Sequence, residues 1–190
     1  MNNFITIVSG LPRSGTSMMM KMLEAGGLEV VTDDIRKPDE DNPKGYYEFE
    51  QVKQIKEDQS WLPKCEGKVV KMVSRLLLDL PEEYEYKIIF MRRAMEEILA
   101  SQRKMLERSG KEAPSAEDDT EMSRLFNQHL QHVEQWMERQ PNVDYIYVNY
   151  NATIQEPGKT AGKVIDFLDD NLDQSKMAGV VDTNLYRQRK

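Results

Sequence analysis

The sequence predicts an α/β fold, a three-layer sandwich whose mostly parallel sheet is covered by helices on both faces. Three observations predict it. Short apolar, β-branched runs of strand length recur at residues 4–8, 68–74, 86–91 and 145–148,. Segments with helical apolar spacing alternate with them, the pattern of strand–helix–strand units. The first strand also passes directly into a helix through a turn bearing two glycines, Ser9-Gly10-Leu11-Pro12-Arg13-Ser14-Gly15-Thr16-Ser17. At 190 residues, with neither a repeat nor an interdomain linker, the chain is expected to form one domain over residues 1–190,.

The elements follow in order. Met18-Met19-Met20-Lys21-Met22-Leu23 is a strong helix former that stops at Gly26-Gly27, and its methionines read as core filling,. Residues 28–31 are apolar enough for a short strand, whereas residues 32–45 are dense in Asp, Lys, Pro, Asn and Gly and read as loop,. Tyr46-Tyr47-Glu48-Phe49 leads into a short helix through Val52 and Ile55. The strand at 86–91 is followed at once by a helix with Met95, Ile98, Leu99 and Met105 along one side. Residues 107–120 are polar and mixed in charge; they read as a mobile loop or lid, with plain disorder as the alternative,. A long helix then carries Met122, Leu125, Phe126, Leu130, Val133, Trp136 and Met137 as one apolar stripe,. His129 lies in that stripe and His132 at its edge, which favours packing over catalysis. Ala161, Val164, Ile165 and Leu168 mark a last amphipathic helix.

Composition narrows the function classes. The net charge of −7 argues against nucleic acid as a partner, so any anionic ligand must be held by a local basic cluster,. Cys65 is the one cysteine, which rules out an internal disulfide and suits a reducing compartment,. With two histidines and one cysteine the chain cannot build a Cys/His zinc cage,. No apolar run approaches a membrane span and the first residues form strand and loop, so a cytoplasmic protein without membrane contacts is expected. Asn151-Ala152-Thr153 fits a glycosylation sequon but reads as chance. Homodimerisation is left open.

The glycine-bearing turn is built to grip an anion. Loop amides and the open first turn of a helix point at one site, and the helix dipole adds partial positive charge. Gly10, Gly15 and Ser17 align with the P-loop pattern G-x-x-x-x-G-K-[ST], but Thr16 fills the lysine slot and the positive charge sits inside the loop at Arg13,. An ATP-hydrolysing site also needs an aspartate at another strand end to hold Mg²⁺. The other core strands run out at Ser74, Arg92-Arg93 and Asn149-Tyr150. What remains is a loop for a 5′-phosphate, with an arginine in place of a metal.

Loop and strand end together resemble the sulfotransferase family that uses 3′-phosphoadenosine 5′-phosphosulfate (PAPS), a family of P-loop-like fold. Pro12-Arg13-Ser14-Gly15-Thr16-Ser17 matches its altered loop, commonly P-[RK]-S-G-T-[ST]. Its second signature is a strand-end arginine with a serine eight residues on, and Arg93 and Ser101 fit that spacing. Asn42-Pro43-Lys44-Gly45-Tyr46-Tyr47-Glu48 and Leu185-Tyr186-Arg187-Gln188-Arg189 look like features of its small bacterial members.

The resemblance implies roles. Ser14, Gly15, Thr16 and Ser17 would hold the 5′-phosphosulfate end, following Pro12. Arg13 would stabilise charge as the S–O bond breaks, an effect of about 3 kcal/mol for one preorganised donor. Arg93 and Ser101 would hold the 3′-phosphate, with Arg92 the competitor because neighbouring strand residues point oppositely. Arg187, Arg189 and Lys190 form a basic tail that could close over that phosphate, or simply fray. A general base for the acceptor is sought among Asp33, Asp34 and Glu48; Asp34 is preferred, since the first two lie where similar tyrosylprotein sulfotransferases place a glutamate. The expected reaction moves a sulfuryl group from PAPS to a hydroxyl or amine of a small-molecule acceptor, without metal, leaving 3′-phosphoadenosine 5′-phosphate (PAP). The alternatives are a nucleotide or small-molecule kinase and a non-catalytic PAPS- or PAP-binding module.

Overall fold

Five parallel strands form the sheet of this computed structural model, which describes residues 3–33, 47–108, 110 and 114–182. They are β1 (Phe4–Gly10), β2 (Val30–Val31), β3 (Val69–Lys71), β4 (Glu85–Arg92) and β5 (Val143–Asn149), in the order β2-β3-β1-β4-β5. Every described pairing is parallel, with Ile7 of β1 opposite Val70 on one side and Ile88 on the other. Six α-helices accompany them: α1 (Thr16–Gly26), α2 (Met95–Arg108), α3 (Ala116–Arg139), α4 (Tyr150–Gln155), α5 (Pro157–Leu168) and α6 (Gln174–Gly179).

Alternation along the strands divides the core between two faces. Ile5, Ile7, Ile88 and Phe90 pack with Val133 and Met137 of α3 and with the short 3-10 turns Glu50–Gln54, Leu62–Cys65 and Ser74–Asp79. Val8, Ile89 and Met91 face Met19, Met20, Met22 and Leu23 of α1 and Val164 and Leu168 of α5. The methionine run of α1 is therefore core. The order of strands places β1 where the connections turn from one side of the sheet to the other. In open parallel sheets the crevice at the carboxyl end of such a strand is where ligands bind.

Two expectations change. The stretch 107–120 is helical at both flanks, since α2 runs to Arg108 and α3 begins at Ala116. A capping box explains the second start: the Ser115 hydroxyl accepts from Asp118 N at 3.1 Å, and the Asp118 carboxylate accepts from Ser115 N at 2.8 Å,. The apolar stripe of α3 is buried only toward its carboxyl end, with Met122 and Leu125 exposed at 38% and 45%. The sequon is structural: Thr153 is fully buried in α4 and its hydroxyl donates to Asn149 O at 2.8 Å. No helix among the described residues is long and apolar enough to cross a membrane.

His129 of α3 shares a hydrogen bond with the Ser74 hydroxyl at 2.8 Å, tying that helix to the turn after β3. Desolvation, then the charges of Arg75 and His132, hold its pKa below the ordinary 6.5. The unfolded chain therefore takes up a proton that the folded one resists, so acidification below about pH 6.5 removes stability. Urea denaturation from pH 8 to 5 is expected to show a shallower loss for His129→Gln than for the parent chain; equal slopes would refute this.

Candidate active site

The turn after β1 is shaped by two glycines. At Gly10, φ is +149° and a Cβ would lie 2.5 Å from the Ser14 hydroxyl and 2.7 Å from Met91 O. At Gly15, φ is +102° and a Cβ would strike the Tyr150 ring at 2.4 Å. Only glycine meets both demands at once. Between them Ser14 N donates to Leu11 O at 3.2 Å, and Arg13 takes a left-handed conformation at φ +70°. Gly15 caps α1 without a side-chain bond, and the first turn of α1 carries no acidic residue. Its amides and dipole are thus presented to whatever lies above the loop.

What lies above it is a cavity of about 470 Å³ at the carboxyl edge of the sheet. The loop forms its floor, β3 contributes Lys71 and the residues after it, and Arg93, Ser101 and Tyr150 close the other side. Among the described residues, six basic side chains line it (Arg13, Lys53, Lys71, Arg93, Lys104 and Arg108) against one acidic residue, Glu48. In a chain of net charge −7 this is a local concentration of positive potential,.

Arg93 is the hub. Its side chain is 7% exposed, and its Nε donates to Glu97 Oε2 at 2.8 Å while Nη1 donates to Arg13 O at 3.0 Å. The guanidinium lies 4.2 Å from the centroid of the Tyr150 ring, the ring that packs on Gly15,. Glu97 accepts a further bond from Asn151 Nδ2 at 2.9 Å. Arg13 in turn donates from Nε to the Ser101 hydroxyl at 3.0 Å. Arg92 points the other way, 4.5 Å from the Tyr147 ring centroid and 3.4 Å from Glu134 on α3. Strand alternation separates the two neighbours, and only Arg93 faces the cavity.

Of the residues singled out in the sequence, Pro12, Arg13, Gly15, Thr16, Ser17, Glu48, Arg93 and Ser101 line this cavity together. Ser14 does not. Its side chain is buried over Gly10 toward a smaller cavity of about 150 Å³ beside Met91 and Ile98, so it shapes the turn from beneath. Asp33 is engaged structurally. Its carboxylate accepts from Glu50 N at 2.6 Å, and its N–H donates to Glu48 O at 3.1 Å. With Thr32 Oγ1, which donates to Glu48 O at 3.0 Å, it clamps residues 48–50 against the end of β2. That clamp sets Glu48 at the cavity wall. Asp34, Arg187 and Arg189 lie outside the described residues.

Sequence reasoning missed Tyr150, Glu97, Lys71, Lys104 and Arg108. A signal existed for several. Tyr150 follows the end of a core strand, and carboxyl ends of parallel strands converge on one crevice. Ser101, Lys104 and Arg108 recur at helical spacing along one side of α2, which marks them as one row once Ser101 is placed,.

The family model described as "Sulfotransferase domain" matches residues 5–190. A sulfotransferase domain from the olefin synthase of Synechococcus PCC 7002 superposes with a TM-score of 0.53 at 14% identity, covering 99% of this chain and 84% of that one. A sugar kinase from Janibacter sp. HTCC2649 gives 0.46 at 13% identity, covering 96% and 98%. Similarity to the first is one of fold. A search of curated proteins finds no match.

The Arg93–Glu97 pair has both side chains under 10% exposed. Removing one partner leaves the other charge buried and uncompensated. Glu97→Ala is therefore expected to cost about 3 kcal/mol of folding stability by urea denaturation. A loss well under about 1 kcal/mol, the value of an exposed pair, would show that the burial has been misjudged.

Proposed function

We propose that this chain, which belongs to the sulfotransferase family, moves a sulfuryl group from PAPS to a hydroxyl or amine of a small-molecule acceptor, without a metal ion. The observation that carries the reading is the direct contact between the two signature segments. Arg93 donates to the Arg13 carbonyl and Arg13 to Ser101, all on one cavity, so one nucleotide can touch both. The residues present fit such a ligand. Gly10 and Gly15 permit the tight turn that leaves the first-turn amides of α1 without a side-chain cap, and the described lining is strongly basic.

Gly15, Thr16 and Ser17 would hold the 5′ end with the amides of α1's first turn. Arg93, with Ser101, would hold the 3′-phosphate through a permanently charged, forked donor already fixed by Glu97,. Bound there, PAPS supplies the sulfuryl group: its sulfur–oxygen bond to the 5′-phosphate breaks as the acceptor's oxygen or nitrogen bonds to sulfur, and the acceptor's proton leaves. Arg13 is placed by Ser101 to stabilise the charge that grows on the departing oxygens, and its left-handed backbone holds that geometry ready,. Among the described residues Glu48 is the carboxylate that lines the cavity, and we assign it the role of accepting the acceptor's proton,. Lys71 at the end of β3 and Arg93 just after β4 line the cavity, cations that suit an anion better than a metal ion.

Two measurements test the reading. Calorimetry in the presence of chelator is expected to show PAP binding about tenfold tighter than ADP, a difference of about 1.4 kcal/mol, because only PAP offers a 3′-phosphate to Arg93 and Ser101. Equal affinities would count against it. Arg13→Ala is expected to lower sulfuryl-transfer kcat by about a hundredfold or more with a smaller change in PAP affinity. A loss confined to binding would reassign Arg13 to ground-state recognition.

A further inference from the structure

Beneath the loop after β1 lies the second cavity, of about 150 Å³, which α3 reaches through Asn127 and Leu130. Leu11 and Arg93 stand between it and the larger cavity, since both line both spaces. Its other polar side chains are those of Ser14, Arg92 and Asn127. Ser14 is 1% exposed, and its hydroxyl has no hydrogen-bond partner among the described residues. A hydroxyl buried without a partner is costly, so its place at this cavity calls for something there to bond to.

The lining says what that partner is. Its described residues include two arginines and no acidic residue. Arg93 spends its guanidinium on Glu97 and the Arg13 carbonyl. Arg92 is held less closely. Its contact with Glu134 Oε1 is 3.4 Å, long for a charged pair, and that oxygen also accepts from the Tyr147 hydroxyl at 2.8 Å,. The start of α2 adds to the positive potential. Met95, its first residue, lines the cavity, whereas its first-turn acids Glu96 and Glu97 do not,. Donors from the loop, the end of β4 and α3 thus surround one space. Water can satisfy a lone hydroxyl, but a charged group that only accepts hydrogen bonds answers all of these donors at once. We infer that this cavity binds a small tetrahedral oxyanion, sulfate or phosphate, held by the Ser14 hydroxyl, the Arg92 guanidinium and the Asn127 amide. At about 30 Å³ per water in the liquid, the space has room for such an ion with part of its hydration. The inference stands independently of the sulfuryl-transfer reading. An ion there would tie the loop that carries Arg13 to β4 and α3 from below.

Two measurements on the full chain test it. Crystals grown free of sulfate and phosphate and soaked in selenate, a sulfate isostere located by its anomalous scattering, are expected to show a peak within hydrogen-bond reach of Ser14 Oγ and Arg92. Calorimetry with PAP present and ionic strength held constant is expected to show sulfate or phosphate binding in the millimolar range or tighter, the tighter of the two naming the ion. Arg92→Gln and Asn127→Leu, the second at an exposed position, are each expected to weaken that binding about fivefold or more,. PAP affinity should stay within about twofold in Asn127→Leu, which lies outside the larger cavity. The absence of a selenate peak in the smaller cavity would overturn the proposal. A peak without binding of either ion in solution, an adventitious ion only, would overturn it too, as would binding unchanged in both variants. Failure of the parent chain to bind PAP would bring down the sulfuryl-transfer reading, and the position of selenate would then decide this inference alone.

Discussion

The site depends on one buried cation. Arg93 leaves the end of β4 and, held by Glu97, donates to the carbonyl of Arg13 in the loop after β1. A guanidinium removed from water is costly unless its charge is matched and its donors are used. Here the compensation comes from three directions: a carboxylate from α2, a backbone carbonyl from the loop, and the face of Tyr150. Each partner is fixed by its need to satisfy the same group. The loop, the strand end, the helix after β4 and the start of α4 are thereby locked into one arrangement.

Position in the sheet decides which arginine can do this. Arg92 and Arg93 have the same chemistry and are adjacent in sequence, yet alternation sends Arg92 to the α3 face among Tyr147 and Glu134. In the loop after β1, where no pleat applies, the turn itself puts Ser14 on the underside and Arg13 on the upper side. Residue type set the candidates, and the pleat and the turn chose among them.

That explains which parts could be read in advance. The parallel sheet and its flanking helices were legible because period-2 and period-3.6 patterns are written along the chain, whereas Arg13, Arg93 and Ser101 were singled out together by their resemblance to the sulfotransferase signatures. The end of α2 and the start of α3 were read as loop because their surface is polar throughout; only the Ser115–Asp118 box marks the second boundary. Asp33 is a candidate base by its position relative to the loop arginine, a count along the chain that does not distinguish a carboxylate capping a backbone amide from one that takes a proton. Its bond to Glu50 N is a long-range pairing of two segments that sequence spacing does not encode. Tyr150 was missed for the same reason, since its role exists only toward Gly15, a residue distant in sequence; Glu97 lies four residues past Arg93, a spacing that the sequence does carry,.

On the proposed reading, the two halves of the cavity depend on each other. Charge stabilisation by Arg13 is worth most where water is excluded, since the attraction between opposite charges grows as the local dielectric falls. The loop alone cannot exclude water, because its surface is amide, hydroxyl and guanidinium. Phe49, Val52, Met72 and Val73 line the same cavity beside Lys53, Lys71 and Glu48, so an acceptor seated there would displace water from apolar and charged surface together. On this reading the catalytic strength of Arg13 depends on how completely donor and acceptor fill the space between the loop and that wall, because each displaced water lowers the local dielectric around the growing charge.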